Sequence, residues 1–487
     1  MEESINNTNL NNRIICKKCN TGNDGNATRC QNCWGRLTQT GFNRSTEPEY
    51  VTSTYEETYI SKYKNKIKTK GLLKWAVTLI ITLIVITIWL LNIFQYNPQS
   101  LVKKPTTNIS NSQSIDDWSM VQKNDHHTGI ADNNNFAITK GTKWKFSAND
   151  FIHTTPSILE NTVYIGTGDN KIIALDKNNG STLWEYNVNS PVDVSLSLTK
   201  EIVYAGLRDG RILALDTKDG NEIWSYDTGE ALFGSVTVIN GAVFGGNSGK
   251  KIFSIDAATG ELLWDFHTDS WIMNAPAVKD GVVAVGTNSQ HFYLIDAHNG
   301  TLRYKIKLGS IQNSPTIIND TVYFTTASYF GSTLHAFNIT RKNIRFANGF
   351  IRWWFQLYVW NIAPKPANPI GYKWGIILGK ELVRSNLATD GEYLYVTTLE
   401  GNIRAIDVKD GSTLWKTSKS ENIRSAPILS GSTLVQLMEN GTIYGINKND
   451  GSTTWQYELN EDIYGSAILV DNTLYVPTIK GNLYALE

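Results

Sequence analysis

The sequence predicts an all-β protein, an eight-bladed β-propeller of four-stranded blades, and three observations predict it. The first is a step of 40 residues. Asp176, Asp216, Asp256 and Asp296 keep it, as do Gly180, Gly220, Gly260 and Gly300, Trp184, Trp224, Trp264 and Tyr304, and, upstream, Gly166, Gly206, Gly246 and Gly286. Repeats of this period with four short strands are propeller blades. The second is the count. A Val/Leu-Tyr type of strand recurs eight times, near Val163, Val203, Val243, Val283, Val322, Leu394, Leu434 and Leu474. A tryptophan-type strand also recurs eight times, at Trp144, Trp184, Trp224, Trp264, Tyr304, Trp374, Trp415 and Trp455. The third is composition: 38 glycines, 11 % aromatic and only 18 % charged residues suit sheets joined by tight turns.

Within one repeat the strands follow from residue type. Val163-Tyr-Ile-Gly166 and Lys171-Ile-Ile-Ala-Leu-Asp176 are β-rich runs, and Asp-x-x-x-Gly then turns the chain. The Asp carboxylate can accept from nearby amides while Gly tolerates positive φ. Leu183-Trp-Glu-Tyr186 is the next strand, and stretches such as Asn274-Ala-Pro-Ala-Val278 supply the fourth. The last repeat runs out at Leu486-Glu487 without a tryptophan strand, whereas Trp144 precedes any complete repeat. The Trp144 strand is therefore expected to complete the final blade and close the ring.

One blade departs from the pattern. Tyr304 and Trp415 are 111 residues apart, more than two periods, and the surplus falls at about 339–371 in place of the usual turn. That insertion carries Trp353, Trp354, Tyr358 and Trp360, followed by Pro364, Pro366 and Pro369. Trp and Tyr favour interfaces, so these four residues are the candidate partner-binding set on a projecting loop; folding back as a plug on the ring is the alternative.

Ahead of the ring, residues 1–15 read as a disordered tail and 16–37 as a zinc ribbon. All four cysteines lie here: Cys16-Lys-Lys-Cys19 and Cys30-Gln-Asn-Cys33. Two such knuckles provide a closed tetrahedral thiolate shell, so a structural zinc is expected rather than a catalytic one. Residues 38–71 form a polar linker ending in Lys62, Lys64, Lys66, Lys68 and Lys70. Residues 72–94 are read as a transmembrane helix, since Trp75 to Phe94 is apolar apart from Thr78, Thr82, Thr87 and Asn92. The lysine excess on its N-terminal side places the ribbon in the cytoplasm and the propeller, residues 116–487 beyond a 95–115 linker, outside the cell membrane. Lys plus Arg equals Asp plus Glu at 45 each, which gives no reason to expect a nucleic-acid partner.

The stretch "VYAGLRDGRILALDTKDGNEIWSYDTG" and its relatives through residues 143–487 resemble the pyrroloquinoline-quinone-like propeller family. Trp118-Ser-Met120 and Asp125-His-His-Thr-Gly129 are similar to a leader common in such proteins. In ring size the chain is similar to the propeller lipoprotein of the outer-membrane barrel-assembly machinery, though it has a helix anchor, a ribbon and no lipidated cysteine. The resemblance implies a protein-binding or assembly scaffold with unidentified protein partners outside the membrane. Its quinoprotein branch implies a quinone- or metal-dependent oxidoreductase, commonly with adjacent cysteines over a metal-bound quinone. No cysteine follows Cys33, so pyrroloquinoline quinone is not expected here. A sensor reporting to the ribbon is a third alternative.

Overall fold

Each forty-residue repeat folds into one antiparallel four-stranded sheet, and eight such blades make up the ring of the computed structural model. The structure describes residues 13–15, 22–24, 29, 74–86, 118–131, 135–192, 194–328, 331–341 and 347–487. It divides into two units, residues 1–98 and 99–487. Blades 1 to 4 cover residues 157–187, 197–227, 237–267 and 277–307, and blades 5 to 7 cover 316–377, 388–418 and 428–458. Blade 8 takes three strands from residues 468–486 and its outer strand, Thr142–Ser147, from the start of the ring. Ala485 lies opposite Trp144 and Asn482 opposite Ser147, which is the closure the sequence predicts. The amides of Thr139, Lys140 and Gly141 fasten the seam by donating to the Glu487 backbone oxygen at 3.0, 2.6 and 3.0 Å.

Burial explains why each strand reads as it does. The middle strand Lys171–Asp176 is buried at four consecutive positions, because blades cover both of its faces. The outer strand Thr182–Asn187 has Trp184 buried between exposed Leu183 and Glu185, the alternation of a strand covered on one face.

The tryptophans bolt blade to blade. Trp184 Nε1 donates to the Thr217 carbonyl of blade 2 at 3.0 Å, and Trp224, Trp264, Trp374 and Trp415 repeat this bond to Ala257, Ala297, Val408 and Lys448 of the next blade at 2.7–3.0 Å. Trp144 makes it from blade 8 to Lys177 of blade 1 at 2.9 Å. The same indole covers the turn glycine of that next blade. A Cβ on Gly220, whose φ is +73°, would come within 2.6 Å of the Trp184 ring. Across the strand pair each indole faces a small residue, such as Ala174, Ala214 or Ser254, immediately before a β-bulge. Blade 4 is the exception. Tyr304 faces the larger Leu294, a swap that conserves volume. The blade it packs on, blade 5, has Ile339 and the insertion where other blades have their turn glycine.

A second set of contacts runs around the axis. The inner strands present equivalent amides at Ile158, Leu198, Val238, Val278, Ile317, Thr389 and Leu429, and residues 118–131 meet them in order. Trp118 and Ile158 exchange two backbone bonds at 2.9 Å; Ser119, Asp125, His126, Thr128 and Gly129 accept from blades 2, 4, 5, 6 and 7 at 2.8–3.1 Å. Met120 Sδ accepts from Val238 at 3.5 Å. Ile130–Ala131 then pairs parallel with Ile428–Ser430. Winding this tightly takes positive φ at Gln122, Lys123, His127 and Gly129, at about 1–3 kcal/mol for each non-glycine residue. Side-chain bonds from Gln122 Nε2 to the Leu387 carbonyl and between His127 Nδ1 and the Pro315 carbonyl, both 2.8 Å, offset part of that. The leader thus lines the inner strands, where Trp118, Met120 and His127 are fully buried.

Of the first unit, Arg13–Ile15 and Gly22–Asp24 form an antiparallel pair, Ile14 opposite Asn23. Residues 74–86 form helix α1, with Thr78 and Thr82 hydroxyls donating back to the Lys74 and Thr78 carbonyls at 2.8 and 2.7 Å. That arrangement hides the polar groups of an otherwise apolar segment. Among the described residues no helix is long and apolar enough to cross a membrane; positions 87–94 lie outside them, as do Cys16, Cys19, Cys30 and Cys33.

Deleting residues 118–147 removes both the leader and the outer strand of blade 8. Aggregation, or a Tm lower by more than about 10 °C, is expected because inner amides and an outer edge lose their partners. An equally stable soluble product in differential scanning calorimetry would show that neither element holds the ring.

Candidate functional site

Two surfaces of the ring unit are not consumed by its own folding. One is the insertion in blade 5. It leaves the strand Gly331–Asn338 and returns at Tyr372–Ile377, within the bounds the sequence predicts. Read as a loop from sequence, it contains a helix, α2, Ala347–Val359. The reason is local: after Gly349 nothing breaks a helix until Pro364, so the aromatic run can satisfy its own backbone. Trp354 Nε1 donates to the Pro364 carbonyl at 2.8 Å, tying the proline-rich return to the helix. Trp353 and Trp360 are 56 % and 61 % exposed, Tyr358 is exposed and Trp354 half-buried. Among the described residues, none of α2 belongs to the buried core clusters of the ring.

The other surface is the mouth of the ring. It is built by the loops that join each outer strand to the next inner strand. Every such loop is pinned by a buried aliphatic residue: Ile152, Val192, Leu232, Ile272, Ile311, Val383, Ile423 and Ile463. The close fit explains the glycine series that starts at Gly166. A Cβ on Gly166, Gly246 or Gly286 would stand 2.3 Å from Val192, Ile272 or Ile311, although their φ angles are ordinary.

The residues on either side of each pin escape that constraint, and here the repeats differ from one another. Phe151 stacks on His153 at 4.1 Å, and His153 leans on Tyr464 at 5.0 Å. Arg424 lies over Tyr464 at 4.9 Å while its Nε meets Glu439 at 3.1 Å. Arg208 covers Phe233 at 5.2 Å. Trp271 and Met273 are 48 % and 39 % exposed. The result is a rim of aromatic rings and guanidinium groups, which stack well because guanidinium is weakly hydrated. These positions carry no periodic signal in the sequence because they do not repeat. Their signal in the sequence is variation beside the fixed aliphatic residue of each repeat.

A family model described as outer membrane protein assembly factor BamB matches residues 136–234, 208–353 and 353–487. The chain belongs to the BamB family. BamB from Moraxella catarrhalis superposes with a TM-score of 0.57 at 15 % identity, over 72 % of this chain and 97 % of that one. The computationally designed protein Ika8 gives 0.59 at 16 % identity, over 71 % and 99 %. A quinohemoprotein alcohol dehydrogenase from Comamonas testosteroni gives 0.59 at 13 % identity, over 78 % and 81 %. At such identities the likeness carries the fold and no activity. No curated protein sequence matches the chain.

A BamB-family ring that also resembles a quinohemoprotein raises the question of a quinone. A metal-bound quinone beneath adjacent cysteines needs a thiol pair and a convergent set of metal ligands. Residues 118–487 contain no cysteine, and among the described residues no three His, Cys, Asp or Glu side chains come together to hold a metal. The side chains present do not fit that group.

Burial also makes two histidines pH-sensitive. Desolvation pushes His127, which bonds Pro315, and His335, 2.9 Å from the Thr326 hydroxyl, down from 6.5 to about 4. Above pH 6.5 both are neutral whether folded or unfolded. Below it the unfolded chain binds protons that the fold excludes, so stability is lost as pH falls from 6.5 towards 4, by about 3 kcal/mol per histidine in full. Tm measured from pH 8 to pH 4.5 should fall below pH 6.5, and His335→Gln should reduce that slope. An unchanged slope in the variant would remove His335 from the effect.

Proposed function

We propose that this chain is a single-pass membrane protein whose propeller, outside the membrane, is a non-enzymatic scaffold that binds a protein partner across the open mouth. One observation carries the reading. In a repeat whose turns, bolts and pins are fixed, the residues flanking each pin vary from blade to blade, and they collect aromatic rings and arginines on a rigid rim. Aromatic residues and Arg are the side chains that dominate protein interfaces, and loops on a rigid scaffold are where binding resides. Membership of the BamB family supports a role in assembling membrane proteins. The quinone- or metal-dependent oxidoreductase reading draws on the dehydrogenase neighbours alone, and among the described residues no three His, Cys, Asp or Glu side chains come together to support it. Trp271→Ser and Arg424→Glu should each weaken partner capture by crosslinking in native membranes about ten-fold or more, with Tm unchanged. Capture that survives both substitutions would move the partner site elsewhere.

The N-terminal unit fits the same picture. The pair Arg13–Ile15 with Gly22–Asp24 flanks residues 16–21 and so brackets the first cysteine knuckle. We assign Cys16, Cys19, Cys30 and Cys33 as ligands of one structural zinc, residues 72–94 as the membrane span and the ribbon as cytoplasmic. Metal analysis of full-length protein prepared under reducing conditions should give one zinc per chain. Protease added to spheroplasts should digest the propeller and spare an N-terminal tag; no zinc, or the opposite protection, contradicts these assignments.

A further inference from the structure

The α2 insertion answers a different question from the mouth. Its thirteen residues, Ala347–Val359, are apolar almost all round. In sequence, Asn348, Arg352 and Gln356 fall at i, i+4 and i+8, and every other position of α2 but Ala347 and Gly349 is a large apolar or aromatic residue. Phe350, Trp353, Phe355, Tyr358, Val359 and Trp360 are each 39–61 % exposed. A helix this apolar is ordinarily buried, in a core or in lipid. The ring does not bury it, and at about 20 Å it is too short to span a bilayer. Beside it, Ile351, Trp353, Phe355 and Gln356 face Lys365, Pro366 and Pro369 across a groove of about 770 Å³ that stays open.

Charge narrows the choice of cover. The insertion, residues 339–371, contains Arg341, Lys342, Arg345, Arg352 and Lys365 and no Asp or Glu. The whole chain, insertion included, balances 45 cations against 45 anions, so this wholly basic stretch is a local feature and not a reflection of the whole. Tryptophan and tyrosine seat at the boundary between headgroups and acyl chains, and lysine and arginine are drawn to anionic headgroups. A short helix with a wide aromatic face and a basic polar stripe is the pattern that lies in the plane of a membrane surface. We propose that α2 is an in-plane anchor that inserts Phe350, Trp353, Tyr358 and Trp360 into the headgroup region of an anionic bilayer.

Vesicle binding tests it. The strands of all eight blades come from residues 130–486, so residues 99–487 hold every part of the ring and serve as the soluble probe. This protein should sediment with vesicles containing phosphatidylglycerol at least about ten-fold more strongly than with pure phosphatidylcholine, and rising salt should weaken the binding. Its tryptophan fluorescence should be quenched by lipids brominated on the acyl chain. The double variant Trp353→Ser/Trp360→Ser, and separately Arg352→Glu/Lys365→Glu, should each lose binding about ten-fold or more while Tm stays put, since α2 is not part of the core. Trp271→Ser and Arg424→Glu should bind vesicles like the parent, so the fate of the partner site does not decide this result. Failure to sediment with anionic vesicles overturns the proposal, as does equal binding by the tryptophan variant. So does a dimer by analytical ultracentrifugation that the tryptophan variant dissolves, because α2 would then be covered by a second copy.

Discussion

The inner edge of every blade faces the axis, and its amide has to be satisfied there. A buried N–H left without a partner costs about 1–3 kcal/mol, and seven equivalent ones, from Ile158 to Leu429, point inward. The leader answers them in sequence, one residue or a few per blade, and accepts strained φ at Gln122, Lys123 and His127 to do so. Much of the remaining design follows. Trp118, Met120 and His127 are buried against the inner strands by these contacts.

Between blades the same economy is repeated locally. The indole, the turn glycine it covers and the small residue opposite it are three parts of one contact. Changing one obliges the others to change, which is what the contact between blades 4 and 5 records: Tyr304 for Trp, Leu294 for Ala, and no turn glycine in blade 5. In a repeat array each unit answers mainly to its neighbours, so a departure can be absorbed at one contact without disturbing the ring. That is where the chain carries α2. Among the described residues, those of α2 stay outside the core clusters.

The two surfaces suit different tasks. The mouth is a rigid rim whose arginines are already held by stacking and by Glu439, so little order remains to be gained when a partner docks. The insertion is apolar and basic, suited to a surface that offers hydrocarbon and negative charge together. A ring held by its own bolts and leader can present both at once, since neither surface contributes to closure.

The sequence by itself determined the architecture, because the physics of a blade is periodic. Asp176, Gly180 and Trp184 recur every 40 residues for turn and packing reasons that hold wherever the chain lies, so the blade count, the Trp144 closure and the bounds of the insertion could all be read from it. Tertiary structure decided what depends on contacts between distant positions. Gly166 has an ordinary φ and is glycine only because Val192, from the next loop, stands 2.3 Å from where a Cβ would be. The leader residues are set by amides up to about 300 positions away, as Gly129 with Leu429 shows. The mouth was illegible for the opposite reason. His153, Phe233, Met273 and Tyr464 escape the repeat because packing does not restrain them, and only folding the loops to one end of the ring brings them together.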